Sequence, residues 1–170
     1  GYLKATTDFE TLEDMDVVFI CVPTPFTRCK DPDVSFVVDA SHTIAKHMKK
    51  TQLIVLESTT YPGTTEEVVL PILQSYGLNV EKDFYLVFSP ERVDPGNEKF
   101  SIRNTPKVIG GLDTTSTNLA RQLYSQVIAE NLVIPVSSPK IAEMTKLLEN
   151  IFRSVNIALI NELTFLCDRM

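Results

Sequence analysis

The feature that most constrains the fold is an alternation of short, β-branched apolar runs with longer amphipathic segments. The run Val17–Val22 (VVFICV) continues into Pro23 and Pro25, which predicts a buried strand followed by a stiff loop. An apolar stripe then predicts a helix over Ser35–Lys50, with lysines in its last turn, where they suit the helix dipole. Alternation of this kind is typical of an α/β fold built on a parallel, doubly wound sheet.

The same alternation continues as far as residue 136. The further predicted strands are Leu53–Leu56, Phe84–Phe88, Lys107–Ile109 and Leu132–Val136. The further predicted helices run from Thr64 to Tyr76 and from Asp113 to Ile128. Their ends carry capping residues: Thr64 and Glu67 have the spacing of a capping box, Gly77 is placed as a C-cap, and Asp113 is placed as an N-cap.

From residue 137 the pattern changes to one long helix. Ser138 as N-cap and Pro139 at the first helical position predict its start, and nothing breaks it before Met170. Its second half is apolar on nearly all sides, which predicts burial on several sides, against another subunit. The apolar residues are Ile151, Phe152, Val155, Ile157, Ala158, Leu159, Ile160 and Leu163. The chain therefore divides into residues 1–136 and 137–170.

Composition excludes several classes of function. The net charge of −6 argues against a general nucleic-acid binder. No apolar run approaches the roughly 20 residues that cross a bilayer, and the first residues do not resemble a signal peptide. We therefore expect no membrane partner and a reducing, cytoplasmic setting. Cys21 is expected to be a small core residue, and with Cys29 and Cys167 it forms no ligand motif, so we expect no metal site.

The first two predicted strands end in loops that suit a ligand site, because ligands of parallel sheets bind at the carboxyl ends of strands. In CVPTP, two prolines flank the hydroxyl of Thr24; the segment is either a cofactor-contacting loop or only a rigid turn. In ESTTYPGTT, Pro62-Gly63 suits a type II turn. There Ser58 and Thr59 precede a helix N-terminus that could meet a phosphate or a developing negative charge. The alternative is simple capping by Thr64.

Two further segments carry charged candidates. In FSPERVDPGN, Glu91 and Arg92 directly follow a strand, as substrate-binding residues or as a solvated ion pair that contributes little. In the long helix, Lys146 and Asn150 are four residues apart and share one face. The alternative for Lys146 is an ordinary solvated lysine, although Asn150 is a poor helix former for a mid-helix position.

Taken in order, five segments resemble the UDP-glucose/GDP-mannose dehydrogenase family across nearly the whole chain. They are ATTDFETLEDMDVVFICVPTP, LESTTYPGTT, FSPERVDPGN, PKVIGG and AEMTKLLENIFRSVNIALINEL. The SPER-x-x-PGN form resembles the branch that oxidises UDP-N-acetylhexosamines (UDP-N-acetylglucosamine or UDP-N-acetylmannosamine). The UDP-glucose branch usually carries a second glutamate where this chain has Pro95, so a second carboxylate has no counterpart here.

The resemblance implies an incomplete Rossmann-like parallel sheet with flanking helices, followed by the start of a central helix that forms a homodimer. It also implies NAD as cofactor and a UDP-sugar as substrate in polysaccharide biosynthesis. The C6 alcohol is oxidised to a carboxylate in two steps, with reduction of two NAD. An aldehyde-level intermediate is held on a cysteine as a thioester precursor, the second NAD oxidises it to the thioester, and the thioester is then hydrolysed.

The same resemblance assigns roles to residues. Thr59 would position a water, Glu91 would act as base or water partner, Lys146 would stabilise the developing oxyanion, and Asn150 would support it. Arg92 would lie near the substrate. Glu91, Lys146 and Asn150 would also be substrate-binding residues. The cofactor would meet Val22, Pro23, Thr24, Ser58 and Thr59. These assignments require Thr59, Glu91, Lys146 and Asn150 to converge on one cleft.

Two parts of the family pattern do not occur in this sequence. No two of its six glycines have G-x-G spacing, so the Rossmann fingerprint that binds the NAD pyrophosphate would precede Gly1. The catalytic cysteine would follow Met170. We therefore expect the chain alone not to turn over, and NADH production by the purified chain with a UDP-sugar would contradict this.

Two other functions fit parts of the pattern. A hydroxyacid dehydrogenase of the 6-phosphogluconate type also joins a Rossmann domain to long helices and uses a lysine and an asparagine four apart, but PERVDPGN favours the first interpretation. A non-catalytic dimerisation module would explain the apolar face between Ile157 and Leu163, and a clean monomer at high concentration would count against it.

Overall fold

The computed structural model describes residues 3–29, 31–80, 82–93 and 101–170. Five strands form one sheet whose spatial order follows the chain. They are β1 (Val17–Ile20), β2 (Gln52–Leu56), β3 (Phe84–Phe88), β4 (Lys107–Gly111) and β5 (Val133–Val136). The α/β fold is confirmed, and the predicted first strand is shorter than expected because the chain leaves the sheet at Cys21, before the two prolines.

One pairing departs from the predicted parallel sheet. β3 and β4 are antiparallel, with Val87 opposite Gly111 and Phe88 opposite Gly110, whereas the other three pairs are parallel. A parallel return needs a crossover of a dozen or more residues, usually a helix. The described residues between Phe88 and Lys107 form no helix. The prediction of a fully parallel sheet is therefore wrong at this one step.

Helices cover both faces of the sheet. They are α1 (Ser35–His47), α2 (Leu70–Ser75), α3 (Thr114–Tyr124) and α4 (Pro139–Arg169), and a π-helical turn, Thr65–Val69, leads into α2. The ends of α1 and α3 fall three and four residues short of the predicted Lys50 and Ile128. At the end of α1, the backbone of Met48 is already extended. Both helices nevertheless occupy their predicted places.

The alternation of side chains along β2 divides the core into two layers. Ile54 and Leu56 face one layer, which contains residues of α1, α2 and the first turns of α4. Leu53 and Val55 face the other, which contains residues of α3. A strand that is buried on both faces needs a continuous apolar run, and this is the pattern from which β2 was predicted.

Three of the predicted helix caps, Asp113, Ser138 and Gly77, are confirmed. Asp113 accepts a hydrogen bond from Ser116 N–H at 2.7 Å, and Ser138 accepts one from Ile141 N–H at 3.3 Å. Gly63 and Gly77 have φ of +106° and +80°, the left-handed backbone that a type II turn and a C-cap require.

The predicted capping box after β2 is wrong. The Thr64 hydroxyl donates to Tyr61 C=O at 2.7 Å instead of accepting a hydrogen bond from the helix. The Glu67 carboxylate pairs with Lys140 at 3.0 Å. A π-helical first turn replaces the α-helical turn on which the capping-box geometry depends, and a residue from α4 caps it instead.

The 31-residue α4 is about 46 Å long at 1.5 Å per residue. Its first turns pack on the sheet, where Ala142 and Glu143 are fully buried. Every residue from 151 to 170 is exposed in the single chain, so burial of this apolar half stays a prediction that requires a partner. None of the described helices has the length and apolarity needed to span a membrane.

Candidate active site at the carboxyl edge of the sheet

The loops that follow β1 and β2 are joined through Ser58. Its buried hydroxyl accepts a hydrogen bond from Val22 N–H at 2.8 Å and lies 2.9 Å from Val22 C=O and 3.2 Å from Ile20 C=O. Ser58 therefore fixes the backbone of the CVPTP loop. Beyond this point Pro23 is exposed and Thr24 is half-buried. Both remain accessible at the carboxyl edge of the sheet, the edge where β1, β2 and β3 end.

The loop that bears Thr59 is held by α4. The buried carboxylate of Glu143 accepts hydrogen bonds from Gly63 N–H, from Thr65 N–H at 2.8 Å and from the Thr65 hydroxyl at 2.7 Å. These backbone donors belong to a helix N-terminus, where a negative charge is stabilised by the unpaired amides and by the helix dipole. Glu143 therefore connects the loop after β2 to the helix that carries Lys146.

The loop after β3 is held by the next turns of the same helix. Lys146 Nζ donates to Glu91 C=O at 2.7 Å. Arg92 pairs with Glu149, with Nε 3.1 Å from Oε2 and a second contact between Nη2 and Oε1. This two-point contact is the fork geometry that arginine prefers with carboxylates. Two successive turns of α4 thus lie against the Glu91-Arg92 segment.

The Glu91 carboxylate turns towards backbone amides and towards Lys107. One of its oxygens accepts from Arg92 N–H at 2.7 Å and from Val93 N–H at 2.6 Å, and the other lies 3.7 Å from Lys107 Nζ. Partial burial acts to raise the pKa of this carboxyl. The Val93 amide and the charges of Lys107 and Lys146 outweigh it and hold the pKa below its usual value. Glu91 is therefore a carboxylate at neutral pH.

The predicted site residues are only partly brought together. Lys146 contacts the Glu91 segment directly. Thr59 is exposed at the same edge, and half-buried Asn150 lies 3.4 Å from the Arg153 guanidinium. Among the described residues, neither Thr59 nor Asn150 shares a hydrogen bond with Lys146 or Glu91, so convergence of all four on one cleft stays a prediction. The expectation based on Pro95, together with Asp94, Gly96 and Asn97 of the same motif, falls outside the described residues.

Sequence reasoning missed a second polar cluster at this edge. The Lys107 ammonium lies 2.7 Å from Glu57 Oε1, and the Tyr124 hydroxyl donates to that same oxygen at 2.6 Å. Lys107 also lies 5.1 Å from the centre of the Tyr124 ring and is only 7% exposed. A lysine at the start of a buried strand is an unusual position and could have been noticed. The direction of β4, which brings Lys107 to this edge, could not be inferred from the sequence.

Cys21 also lies at this edge, and the prediction that it is a core residue is wrong. It is exposed, because the chain turns out of the sheet after Ile20. Its thiol lies 3.7 Å from Glu57 Oε2, and partial burial together with the Glu57 charge raises the pKa of the thiol. No group of three or more His, Cys, Asp or Glu side chains within the described ranges is arranged to hold a metal ion.

Two domains of one protein family match most of the chain. Residues 1–128 match the NAD binding domain of the UDP-glucose/GDP-mannose dehydrogenase family, and residues 140–170 match its central domain. The chain is 37% identical over 170 residues to the UDP-N-acetyl-D-glucosamine 6-dehydrogenase of Salmonella typhi, matching 99% of this chain and 40% of that protein. It is 39% identical over 169 residues to the UDP-N-acetyl-D-mannosamine dehydrogenase of Pyrococcus horikoshii, again with 40% of that protein covered.

Solved structures agree with these relatives. The UDP-D-ManNAc dehydrogenase from Pyrococcus horikoshii superimposes with a TM-score of 0.84 at 39% identity, over 92% of this chain and 37% of that one. A GDP-mannose dehydrogenase from Pseudomonas aeruginosa gives 0.82 at 28% identity, over 92% and 37%. The chain thus spans about 40% of the length of the curated relatives it matches. By the match over residues 1–128, the chain belongs to the UDP-glucose/GDP-mannose dehydrogenase family.

Proposed function

We propose that this chain is part of an NAD-dependent nucleotide-sugar 6-dehydrogenase that oxidises the C6 alcohol of a UDP-sugar to a carboxylate in two steps. The observation that carries the proposal is the contact between Lys146 Nζ and Glu91 C=O at 2.7 Å, at the carboxyl edge of the sheet. Ligands of open α/β sheets bind at this edge, so an ammonium and a carboxylate-bearing segment in contact there support the proposal. The acetamido-sugar relatives named above favour a UDP-N-acetylhexosamine as substrate.

The loops after β1 and β2 suit the cofactor. Pro23 offers an exposed apolar surface and Thr24 a half-buried hydroxyl, while Ser58 fixes the backbone of Val22 beside them. Thr59, which follows Ser58 directly, is also exposed. An apolar surface beside hydroxyl groups suits a flat ring of NAD and the ribose attached to it. Bound NAD would supply the hydride acceptor at each oxidation step.

The charged groups at the edge supply the remaining chemistry. Lys146 is the cation that would stabilise the oxygen at C6 as negative charge develops, an effect that is strong in a closed site. Glu91, held ionised, would accept a proton from the C6 hydroxyl or from a water that Thr59 positions. Asn150 lies one turn beyond Lys146 and would support it, and Arg92, oriented by Glu149, would contact the substrate.

The two segments of the chain have separate tasks in this proposal. Residues 1–136 form the later part of the NAD-binding Rossmann domain, and residues 137–170 begin the central helical domain. The exposed apolar half of α4 would pair with the same helix of a second copy, which gives a homodimer. The enzyme would act in the cytoplasm in polysaccharide biosynthesis.

The test is NADH production by the protein at its full natural length with UDP-N-acetylglucosamine, UDP-N-acetylmannosamine and UDP-glucose. We expect turnover with an acetamido sugar and two NADH per uronate formed. Lys146→Met should lower kcat by roughly 10²- to 10³-fold, the typical cost of removing one oxyanion-stabilising donor.

Lys140→Met is the matched control, because Lys140 lies on the same helix and, within the described ranges, forms its salt bridge with exposed Glu67. Its kcat should equal that of the wild type. A Lys146→Met enzyme with unchanged kcat would remove Lys146 from the mechanism. Absence of turnover with every UDP-sugar, in a protein that still dimerises, would favour the non-catalytic dimerisation module.

A further inference from the structure

A buried lysine lies between two carboxylates beneath the candidate site. Lys107 Nζ is 2.7 Å from Glu57 Oε1 and 3.7 Å from Glu91 Oε2. Glu57 is fixed in turn by the Tyr124 hydroxyl at 2.6 Å. Together with Phe19, Ile102, Val127 and Ile128, these four polar residues line a pocket of about 240 Å³. The mechanism proposed above uses only Glu91 from this group.

We propose that Lys107 is a positioning residue for Glu91, a buried ammonium shared between the carboxylates of Glu57 and Glu91 that holds Glu91 in place for its role as proton acceptor. This inference rests on the proposed function and adds three residues, Lys107, Glu57 and Tyr124, that act on the site through Glu91.

The topology explains how this lysine reaches the site. Because β4 is antiparallel to β3 and Phe88 lies opposite Gly110, the strand extends three residues past the end of β3. Lys107 is the outermost of these three residues. It therefore lies beyond the sheet edge, beside the loop that bears Glu91 and next to Glu57 at the end of β2. In a fully parallel sheet, the first residue of this strand would lie at the opposite edge.

The polar contacts of Lys107 account for its burial. An ammonium that is removed from water must be paired and hydrogen-bonded, and Lys107 has the Glu57 carboxylate, the Glu91 carboxylate and the face of the Tyr124 ring. Burial, reinforced by the Glu57 charge, raises the pKa of Tyr124 far above its usual value. Tyr124 is therefore a fixed donor to Glu57. Lys107 is therefore paired with two carboxylates at once.

Several groups face Glu91 and set its ionisation. Lys107 approaches from β4 and Lys146 from α4, while Arg92 beside it is paired with Glu149. The thiol of Cys21 and the hydroxyl of Tyr124 keep their protons near neutral pH, since the pKa of each is raised. Removal of the Lys107 charge should therefore raise the pKa of Glu91. Removal of the Glu57 carboxylate frees Lys107 for Glu91 and should lower the pKa of Glu91.

The experiment compares Lys107→Met with Glu57→Gln in the protein at its full natural length. Glutamine at position 57 keeps one oxygen that can accept from both Lys107 and Tyr124, while its NH₂ group replaces Oε2 beside the exposed Cys21 thiol. The contacts of Lys107 and Tyr124 with position 57 are therefore kept while the charge is removed. The Glu91 carboxyl is titrated by carbon NMR, assigned by its loss in Glu91→Gln, and the pH dependence of kcat/KM is measured alongside. Glu67→Gln, an exposed carboxylate outside the cluster, is the control.

We expect the Glu91 titration and the acid limb of kcat/KM to move to higher pH in Lys107→Met and to lower pH in Glu57→Gln. Lys107→Met should also lower kcat by roughly 10- to 100-fold through misplacement of Glu91. A purely structural role would not move the two titrations in opposite directions. If Lys107→Met does not fold, the shift in Glu57→Gln decides alone.

An unchanged Glu91 titration in Glu57→Gln would overturn the inference. Failure of the proposed function has a different signature, because the wild type would then reduce no NAD with any UDP-sugar while the opposite shifts in the NMR titration persisted.

Discussion

At the residue scale, the Glu143 carboxylate links the loop after β2 to α4. It is fully buried and accepts three hydrogen bonds from segment 63–65. A carboxylate can accept all of them because it has no donor of its own. An amide of the same shape cannot do so, since one of its two ends is an NH₂ group that would face an N–H.

Glu143→Gln should therefore destabilise the protein by about 1–3 kcal/mol, the cost of leaving a buried donor unpaired. The measurement is the free energy of unfolding in denaturant. Glu67→Gln is the matched control, because it makes the same change at the residue that the sequence motif assigned to the cap. We expect it to leave stability nearly unchanged, since exposed ion pairs contribute little. Equal losses in the two variants would contradict the cap by Glu143.

At the element scale, the contact that places α4 is its first turn against β4. A Cβ at Gly110 would lie 2.3 Å from Ser138 C=O and 3.0 Å from Pro139 N. Only glycine allows the strand and the N-cap of α4 to approach so closely. The same helix reaches Lys146 two turns later, so any shift of its first turn is transmitted to the candidate site.

We expect Gly110→Ala to cost about 3 kcal/mol or more, at the upper end for overpacking, because rigid backbone must move. It should also lower kcat by displacing Lys146. Gly77→Ala is the control: nothing lies within 4 Å of its Cβ, but its φ is +80°. This left-handed conformation should cost about 1–2 kcal/mol with no effect on kcat. Thermal unfolding and steady-state kinetics check both variants. Full activity in Gly110→Ala would contradict the claim that a shift in the first turn of α4 displaces Lys146.

At the scale of the whole molecule, the exposed half of α4 is the feature that the single chain leaves unexplained. Phe152, Val155, Leu159 and Leu163 lie on one stripe of this half and are 69%, 61%, 55% and 44% exposed. A helix with so broad an apolar surface is usually buried, and contiguous apolar patches of this kind mark interaction sites. A second copy of the same helix is the partner that the family resemblance implies.

Leu159→Glu should therefore weaken self-association by about tenfold or more, because a buried leucine contributes roughly 1.5–3 kcal/mol. Asn161→Glu adds the same charge on the opposite side of the helix and should have a smaller effect. Sedimentation velocity over a range of concentrations measures both. A wild-type protein that stays monomeric at the highest concentration would refute the homodimer.

The sequence alone determined the elements and most of their ends, because the physical causes are local. Apolar periodicity fixes which segments are strands or helices, and Asp113, Ser138 and Gly77 act within one turn of their own position. It also predicted that Glu91 and Lys146 lie close together, and the Lys146 ammonium does contact the Glu91 carbonyl; the catalytic roles of both residues remain predictions. The roles of Thr59 and Asn150 remain predictions.

The tertiary structure alone decided which distant groups meet. The antiparallel pairing of β3 and β4 brings Lys107 to the edge of the sheet where β1, β2 and β3 end. The packing of α4 on the sheet makes Glu143 the cap of a helix whose first turn lies 78 residues earlier in the chain. No local pattern encodes such contacts, because they depend on strand direction and on how separate elements pack. For the same reason Cys21 and Glu67, which the sequence assigned to the core and to the cap, are exposed.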